Sequence, residues 1–275
     1  MTPVSADSGG VTACVIARDA APHLAILLPT LRWADEVLVL LDDRTIDDSR
    51  VIAGPLVDRL ATVPFESFPA MRNRALAFAS RPWVFFVDAD ERVSDSLAAA
   101  VRAATTSNTD HVGPEMDQVV GHWIPRQNVM FGRVVRGGGW WPDYQLRLLR
   151  RGRVAYDPAR IVHELVTLDG SSSYLAEPLL HLNYESIPQF IRKQRTYTAL
   201  EANMLRTEGV RFRPRALFGQ PLREFWRRFV TLRGWTDGPV GLFLSLAMAY
   251  YAYRRVALTR QRPVPTPAVA KPPGP

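Results

Sequence analysis

Residues 83–93 read WVFFVDADERV, and this stretch decides the fold. Trp83 to Val87 form an unbroken apolar run, so the strand they predict is buried on both faces, as in the middle of a parallel sheet. The run opens directly onto Asp88-Ala89-Asp90. Two carboxylates one residue apart at the carboxyl end of a buried strand lie where open α/β sheets bind ligands. Together they suit a hard divalent cation, Mg or Mn, bridging to a diphosphate.

Toward the N-terminus the pattern repeats. Residues 11–17 and 36–41 predict buried strands and residues 60–64 a short third one, with helical patterns over 23–33, 47–53 and 69–79 between them. Pro29 is a flaw in the first helix, because an interior Pro removes a hydrogen bond and crowds the preceding turn. Pro69 suits a first turn, and Ser94 suits the N-cap of a helix over 95–105. This alternation predicts an α/β fold with a Rossmann-like, mostly parallel sheet. Beyond it, residues 107–121 are polar and loop-like, and short β pieces follow at 122–125, 129–135, 144–149 and 175–176. Helical patterns return at 187–207, 221–232 and 240–259, and the sequence contains no internal repeat.

Composition sets the outer bounds. The chain has 275 residues, 47% hydrophobic and with one Cys, which excludes a wholly disordered chain, a collagen-like repeat and a disulfide scaffold. Cys14, in an apolar run, reads as a buried inert thiol, with no sign of an oxidising compartment. The N-terminus MTPVSADSGG lacks the regions of a signal peptide, which predicts a cytosolic protein. Charge is divided unevenly: residues 1–185 hold 18 Lys and Arg against 23 Asp and Glu, net −5, and residues 186–275 hold 16 against 4, net +12. The basic part predicts an anionic partner, nucleic acid or a membrane surface. The apolar run 239–253 has 15 residues and is closed by Arg254 and Arg255. A spanning helix needs about 20, so the run predicts a core helix or one lying in a membrane interface. Phe225, Trp226, Phe229 and Trp235, interleaved with Arg223, Arg227, Arg228 and Arg233, favour an anionic lipid interface over nucleic acid.

Eight stretches then carry a resemblance: VIAR (15–18), WADEVLVLLDD (33–43), MRNRAL (71–76), WVFFVDADERV (83–93), RQNVMFG (126–132), GWWPDYQLRLLRR (139–151), VHE (162–164) and RGWTDGPVG (233–241). In this order they resemble family 2 glycosyltransferases of the GT-A fold, most closely the branch of lipopolysaccharide-core β-glucosyltransferases. The resemblance implies a metal-dependent, inverting transfer of a hexose from a nucleoside-diphosphate sugar, UDP-linked, to a glycolipid or polysaccharide acceptor on the inner face of the cytoplasmic membrane. It implies a GT-A catalytic domain over 11–185, with a nucleotide-binding half (11–105) and an acceptor half (122–185). A basic, membrane-associating helical extension over 186–262 follows, and residues 1–10 and 263–275 are expected to be disordered.

The resemblance also implies roles for single residues. Ala17, Arg18 and Asp42 contact the nucleotide, and a carboxylate at Asp42 suits a ribose hydroxyl or a base N–H. Arg72 and Asn73 open a turn before the metal strand, where an Arg fork neutralises phosphate. Asp88 and Asp90 hold Mn or Mg, with His163 as third ligand. Asp143 is the first choice for the base that deprotonates the acceptor, Glu164 the second, and Trp140 beside Trp141 offers an apolar platform for a sugar ring. Arg126, Arg147 and His181 are placed to line the diphosphate or acceptor.

Two departures touch the nucleotide pocket: Asp19-Ala20 stands where the family has Asn-Glu, and Arg44-Thr45-Ile46-Asp47 where it has Gly-Ser/Thr-x-Asp. Other readings are weaker. A peptide or small-molecule acceptor fits the same donor half. A nucleotidyltransferase lacks its Gly-rich, Lys-containing loop between Val15 and Leu24, and a non-catalytic module whose basic tail binds nucleic acid suits the interleaved aromatics and Arg, but the apolar run 239–253 fits lipid better. His163-Glu164 lacks the second His of a zinc-protease motif.

Overall fold

A computed structural model of the chain describes residues 10–107, 118–157, 166–210 and 212–260. The tail 263–275, residues 1–9 and the middle of the polar stretch lie outside the described residues. The chain divides into two compact units, Met1–Gln127 with Pro142–Leu182, and Asn128–Trp141 with Asn183–Pro275. The division is therefore not the single cut after residue 185 that the charge change suggests. Asn128–Trp141 belongs with the C-terminal helices because Met130 and Val135 are buried in their core.

In the first unit β1 (Val11–Ala17), β2 (Glu36–Asp42), β3 (Arg59–Val63) and β4 (Trp83–Asp88) are parallel in the order β3-β2-β1-β4. Alternate residues of these strands feed two separate cores. Ala13, Val15, Val39, Phe85 and Val87 face one way, and Cys14, Leu38, Leu40, Val84 and Phe86 face the other. The first set packs on α1 (Ala21–Leu27), α2 (Ser49–Ala53) and α4 (Asp95–Ser107), and the second on α3 (Phe68–Phe78). Helices on both faces explain why the strands read as continuous apolar runs. Burial pushes the Cys14 thiol up to about 12, consistent with an inert group.

An antiparallel half extends the sheet. The two-residue β5 (Glu91–Arg92), β6 (Val119–Met130), β8 (Asp143–Arg150) and β12 (Leu179–Tyr184) continue it in the order β4-β8-β6-β12-β5. β11 (Ser171–Tyr174) lies parallel to β6, and β9 (Val154–Tyr156) pairs with β10 (Val166–Leu168) as a separate ribbon. Several expected boundaries move. The helix over 23–33 ends at Leu27 and continues as a 3-10 turn over Leu28–Leu31, because Pro29 cannot donate to the α-helical ladder. The strand expected at 175–176 does not form; the strand there is Ser171–Tyr174, which ends before Leu175 and whose run of Ser side chains hid it.

In the second unit β6 turns at Phe131 and Gly132, both at positive φ, into β7 (Arg133–Val134), as a two-residue hairpin turn requires. α5 (Ile187–Thr207), α6 (Ala216–Trp226) and α7 (Gly238–Leu258) follow, with a π turn over Arg227–Thr231 and a 3-10 turn over Gly234–Asp237. The helix expected over 221–232 thus begins five residues earlier and contains Pro221. Phe190 lies 4.9 Å from Tyr184 and 5.8 Å from Phe243, ring centre to ring centre, at the middle of this core. α7 packs against both α5 and α6, and among the described residues no helix is long and apolar enough to cross a membrane.

The start of α7 is fitted to the 3-10 turn backbone to backbone. A Cβ at Gly241 would collide with the Gly234 carbonyl oxygen, whereas one at Gly219 on α6 would meet nothing within 4 Å. Gly241→Ala is expected to cost about 1–3 kcal/mol through overpacking, and Gly219→Ala to gain up to about 1 kcal/mol from helix propensity. Chemical denaturation followed by circular dichroism checks both signs.

Candidate active site

β1 is hydrogen-bonded to β2 on one side and β4 on the other, with Ala17 opposite Leu41 and Ile16 opposite Asp88. The carboxyl ends of these three strands are therefore adjacent, and Arg18, Asp42 and Asp88 collect at one edge of the sheet.

At the β4 end the organising side chain is Arg147. Its register on β8, next to the Leu148–Phe85 pair, brings it under Asp88. Its guanidinium donates to both Asp88 carboxylate oxygens and, at 2.6 Å, to Glu91 Oε1. Glu91 Oε2 accepts from the Asp88 backbone N–H at 2.8 Å. The Arg147 side chain is 3% exposed and that of Glu91 0%. Burial opposes ionisation of Asp88, but the Arg147 charge, helped by Arg72 and Arg126, holds its carboxyl well below the usual range. Glu91 goes the other way: burial, with Asp88 beside it, raises its carboxyl against the pull of Arg147.

The network continues outward. Arg126 Nη1 lies 3.9 Å from Glu91, and Arg126 also donates twice to Asp143 Oδ2, at 2.6 and 2.9 Å, from the position directly opposite on β6. Gln145 donates to Asp143 Oδ1 at 2.8 Å. Arg72, on α3, sits over the Phe86 and Tyr156 rings and 3.9 Å from Asp88. Asp90 faces His181 Nε2 at 3.5 Å, and its carbonyl accepts from Leu182. Asp88, Asp90, Arg72, Arg126, Arg147, Asp143 and His181 are thus brought to one place from five elements.

Other expected residues stand differently. Asn73 is a structural clamp: its Nδ2 donates to the Tyr156 carbonyl at 2.8 Å and its Oδ1 accepts from Tyr156 N–H at 2.9 Å, which ties α3 to β9. Its amide is therefore engaged with backbone, not offered to a nucleotide. The Trp140 ring, in the second unit, has the Arg228 guanidinium 5.1 Å from its centre, so that face is covered by a cation where an open platform is expected. Arg18 is exposed and 3.4 Å from Asp19, and Ala17 is the buried last residue of β1. His163 and Glu164 lie outside the described residues.

Asp42 is not an open acceptor either. Its Oδ1 accepts from the Arg44 N–H and Nε, both at 2.9 Å, and its Oδ2 from Arg44 Nη2 at 2.6 Å. Hydrogen bonding to Arg44 holds the Asp42 carboxyl down at about 2, against the effect of burial. The stretches that depart from the family interlock. Asp19, in the left-handed region, accepts from Ile46 N–H at 2.8 Å, and Asp47 accepts from Ala21 N–H at 2.9 Å. Glu91 is the residue here that sequence reasoning missed, and Arg44 entered it only as part of a departure touching the nucleotide pocket. Glu91 directly follows the carboxylate pair, and Arg44 is itself the residue that replaces the family's Gly.

The donors left for a divalent cation are few, because both Asp88 oxygens, expected as metal ligands, accept from Arg147. Among the described residues no three His, Cys, Asp or Glu side chains converge into a cage. Asp90 and His181 together provide a hard oxygen and a nitrogen, and Mg or Mn commonly completes such a partial shell with substrate phosphate.

No family model matches the chain. It is similar to the lipopolysaccharide core biosynthesis glycosyltransferase LpsC of Rhizobium meliloti, 25% identical over 263 residues and covering 92% of each chain. An uncharacterized glycosyltransferase of Rickettsia felis is 19% identical over 253 residues, 91% of this chain and 89% of that one. Among solved structures, S. aureus TarS aligns with a TM-score of 0.46 at 14% identity over 91% of this chain, which spans half of the TarS chain, 50%. The resemblance read from the motifs is thereby borne out along nearly the whole length: the chain is similar to glycosyltransferases, one of them named for the lipopolysaccharide core.

Removing the central cation tests the network. Arg147→Met leaves Asp88 and buried Glu91 facing each other, and the expected loss of stability is about 3–5 kcal/mol. Adding Glu91→Gln to that variant should restore part of it, as read from denaturant midpoints.

Proposed function

We propose that this chain is a metal-dependent inverting glycosyltransferase. It transfers a hexose from a UDP-linked sugar to a glycolipid or polysaccharide acceptor of the lipopolysaccharide-core kind, at the inner face of the cytoplasmic membrane. The observation that carries the proposal is the unbroken set of contacts from Asp88 through Arg147, Glu91 and Arg126 to Asp143, with Asp90 and His181 alongside. Carboxylates that suit a cation, guanidiniums that suit phosphate and a carboxylate that suits an acceptor hydroxyl are joined by these contacts within one unit.

In this reading Asp90 and His181 hold the cation, with Asp88 beside them and His163 a candidate for a further position. When bound, the cation neutralises charge developing on the departing diphosphate. Arg72, held over Phe86 and Tyr156, adds a fixed positive charge to the same leaving group. Asp143, oriented by Arg126 and Gln145, accepts the proton of the acceptor hydroxyl as its oxygen bonds to the sugar C1 and the C1–diphosphate bond breaks. Glu164 is the alternative base. Asp90→Ala is expected to abolish Mn- or Mg-stimulated turnover of UDP-sugars, and Asp143→Asn to lower kcat by about 10²–10⁴-fold with donor affinity kept. Steady-state transfer and UDP calorimetry measure the two; no binding of any sugar nucleotide by the wild type would sink the proposal.

The membrane part rests on α6. Phe218, Leu222 and Trp226 are 80%, 70% and 61% exposed, and Val230 extends the same stripe. Arg223 and Arg227, each one residue on, run beside it. Apolar side chains with Arg at their edge suit the headgroup layer of an anionic bilayer. The wild type should therefore float with phosphatidylglycerol-containing vesicles and much less with neutral ones. The Leu222→Asp/Trp226→Asp pair should remain in the soluble fraction with either vesicle.

A further inference from the structure

Arg44 carries more than a counter-charge. It follows β2, the strand whose carboxyl end lies away from the Asp88 side of β1 and so toward the nucleoside end of the crevice. Its guanidinium is fixed in plane along one edge, where Nε and Nη2 donate to Asp42. One of its faces is backed by the Phe65 ring, 4.8 Å from the guanidinium carbon, and Phe65 is itself braced edge-on by Phe68 at 5.2 Å. The loop that carries it is pinned by the bonds from Ile46 and Ala21 to Asp19 and Asp47. Yet the Arg44 side chain is 50% exposed, while that of Asp42 is 4% exposed, and Nη1 makes no hydrogen bond among the described residues.

A guanidinium held this way is a rigid plate with a stacking face and an outward donor. Planar bases stack on such plates, and the donor favours a carbonyl over an amino group at the base edge. We infer that Arg44 is the residue that receives and discriminates the donor's nucleobase, in place of direct contact by Asp42. The inference rests on the donor-site reading proposed above. Uracil and cytosine test it, because position 4 is a carbonyl in uracil and an amine in cytosine, with N3 changing from donor to acceptor beside it, so a donor aimed at position 4 prefers uracil.

The experiment is calorimetric binding of UDP, CDP and inorganic pyrophosphate, each with Mn present, to the full chain and to Arg44→Gly and Arg44→Lys. Arg44→Gly restores the family's residue; Arg44→Lys keeps a positive charge facing Asp42 should the first variant fold poorly. The wild type is expected to prefer UDP over CDP by about tenfold. Both variants should lose about tenfold in UDP affinity and most of the preference, with pyrophosphate binding unchanged. Equal losses for UDP, CDP and pyrophosphate would overturn the inference, because Arg44 would then act on the phosphates or the fold. An unchanged UDP preference in both variants would overturn it while leaving the donor-site reading intact. A wild type that binds none of the three would overturn both.

Discussion

Arg147 places a guanidinium almost wholly out of water, and it can stay there as a cation only because Asp88 and Glu91 face it. Those two carboxylates come from the end of β4 and from β5, and Arg147 from β8, so one ion cluster fixes the meeting of the parallel and antiparallel halves of the sheet. It also determines what the crevice offers a ligand. The cluster and its neighbours comprise four carboxylates, Asp88, Asp90, Glu91 and Asp143, against three guanidiniums, Arg72, Arg126 and Arg147. A divalent cation would add two positive charges to that near balance and make the place suitable for a diphosphate. The acidic charge of residues 1–185 is thus compatible with an anionic substrate.

The same logic organises the nucleoside end. Arg44 covers the carboxylate of Asp42 at the end of β2, and the residues that follow β1 and β2 bond to one another through Asp19, Ile46, Asp47 and Ala21. The two departures form one structural change. Its left-handed Asp19 is the position from which a carboxylate reaches the Ile46 amide.

What the sequence made legible followed from local physics. The unbroken apolar runs of β1, β2 and β4 announce burial on both faces, and Asp88-Ala89-Asp90 is visible because charge follows such a run without a break. The flaw at Pro29 is where α1 gives way to a 3-10 turn. Long-range pairing was not legible. Arg147 and Asp88 are 59 residues apart, and nothing local in QLRLL tells which Arg turns inward. Asn73 shows the converse: its place in a motif suggests a ligand contact, but its partner is the backbone of Tyr156, 83 residues away. His181 was readable as a residue of the site and not as the partner of Asp90, because that depends on β12 pairing with β5, a two-residue strand with no hydrophobic pattern.

The basic second unit resolves the apolar run over 239–253 into two faces. Gly241, Leu244, Ser245, Tyr251, Ala252 and Val256 of α7 are buried, while Leu242, Leu246, Tyr250 and Tyr253 are exposed. A helix serving only as core has no need of that second stripe, and a water-facing one would carry polar side chains there. α6, packed on α7, adds an exposed stripe of Phe218, Leu222 and Trp226. Two neighbouring helices with exposed apolar stripes and few acidic residues present a surface whose hydration is unfavourable and whose charge is positive. Under the proposed function an anionic bilayer interface would relieve both at once, which nucleic acid would not, since phosphate contacts leave the apolar stripes wet. Under the proposed function, the same unit would then bring the catalytic crevice to an acceptor that is itself held in a membrane.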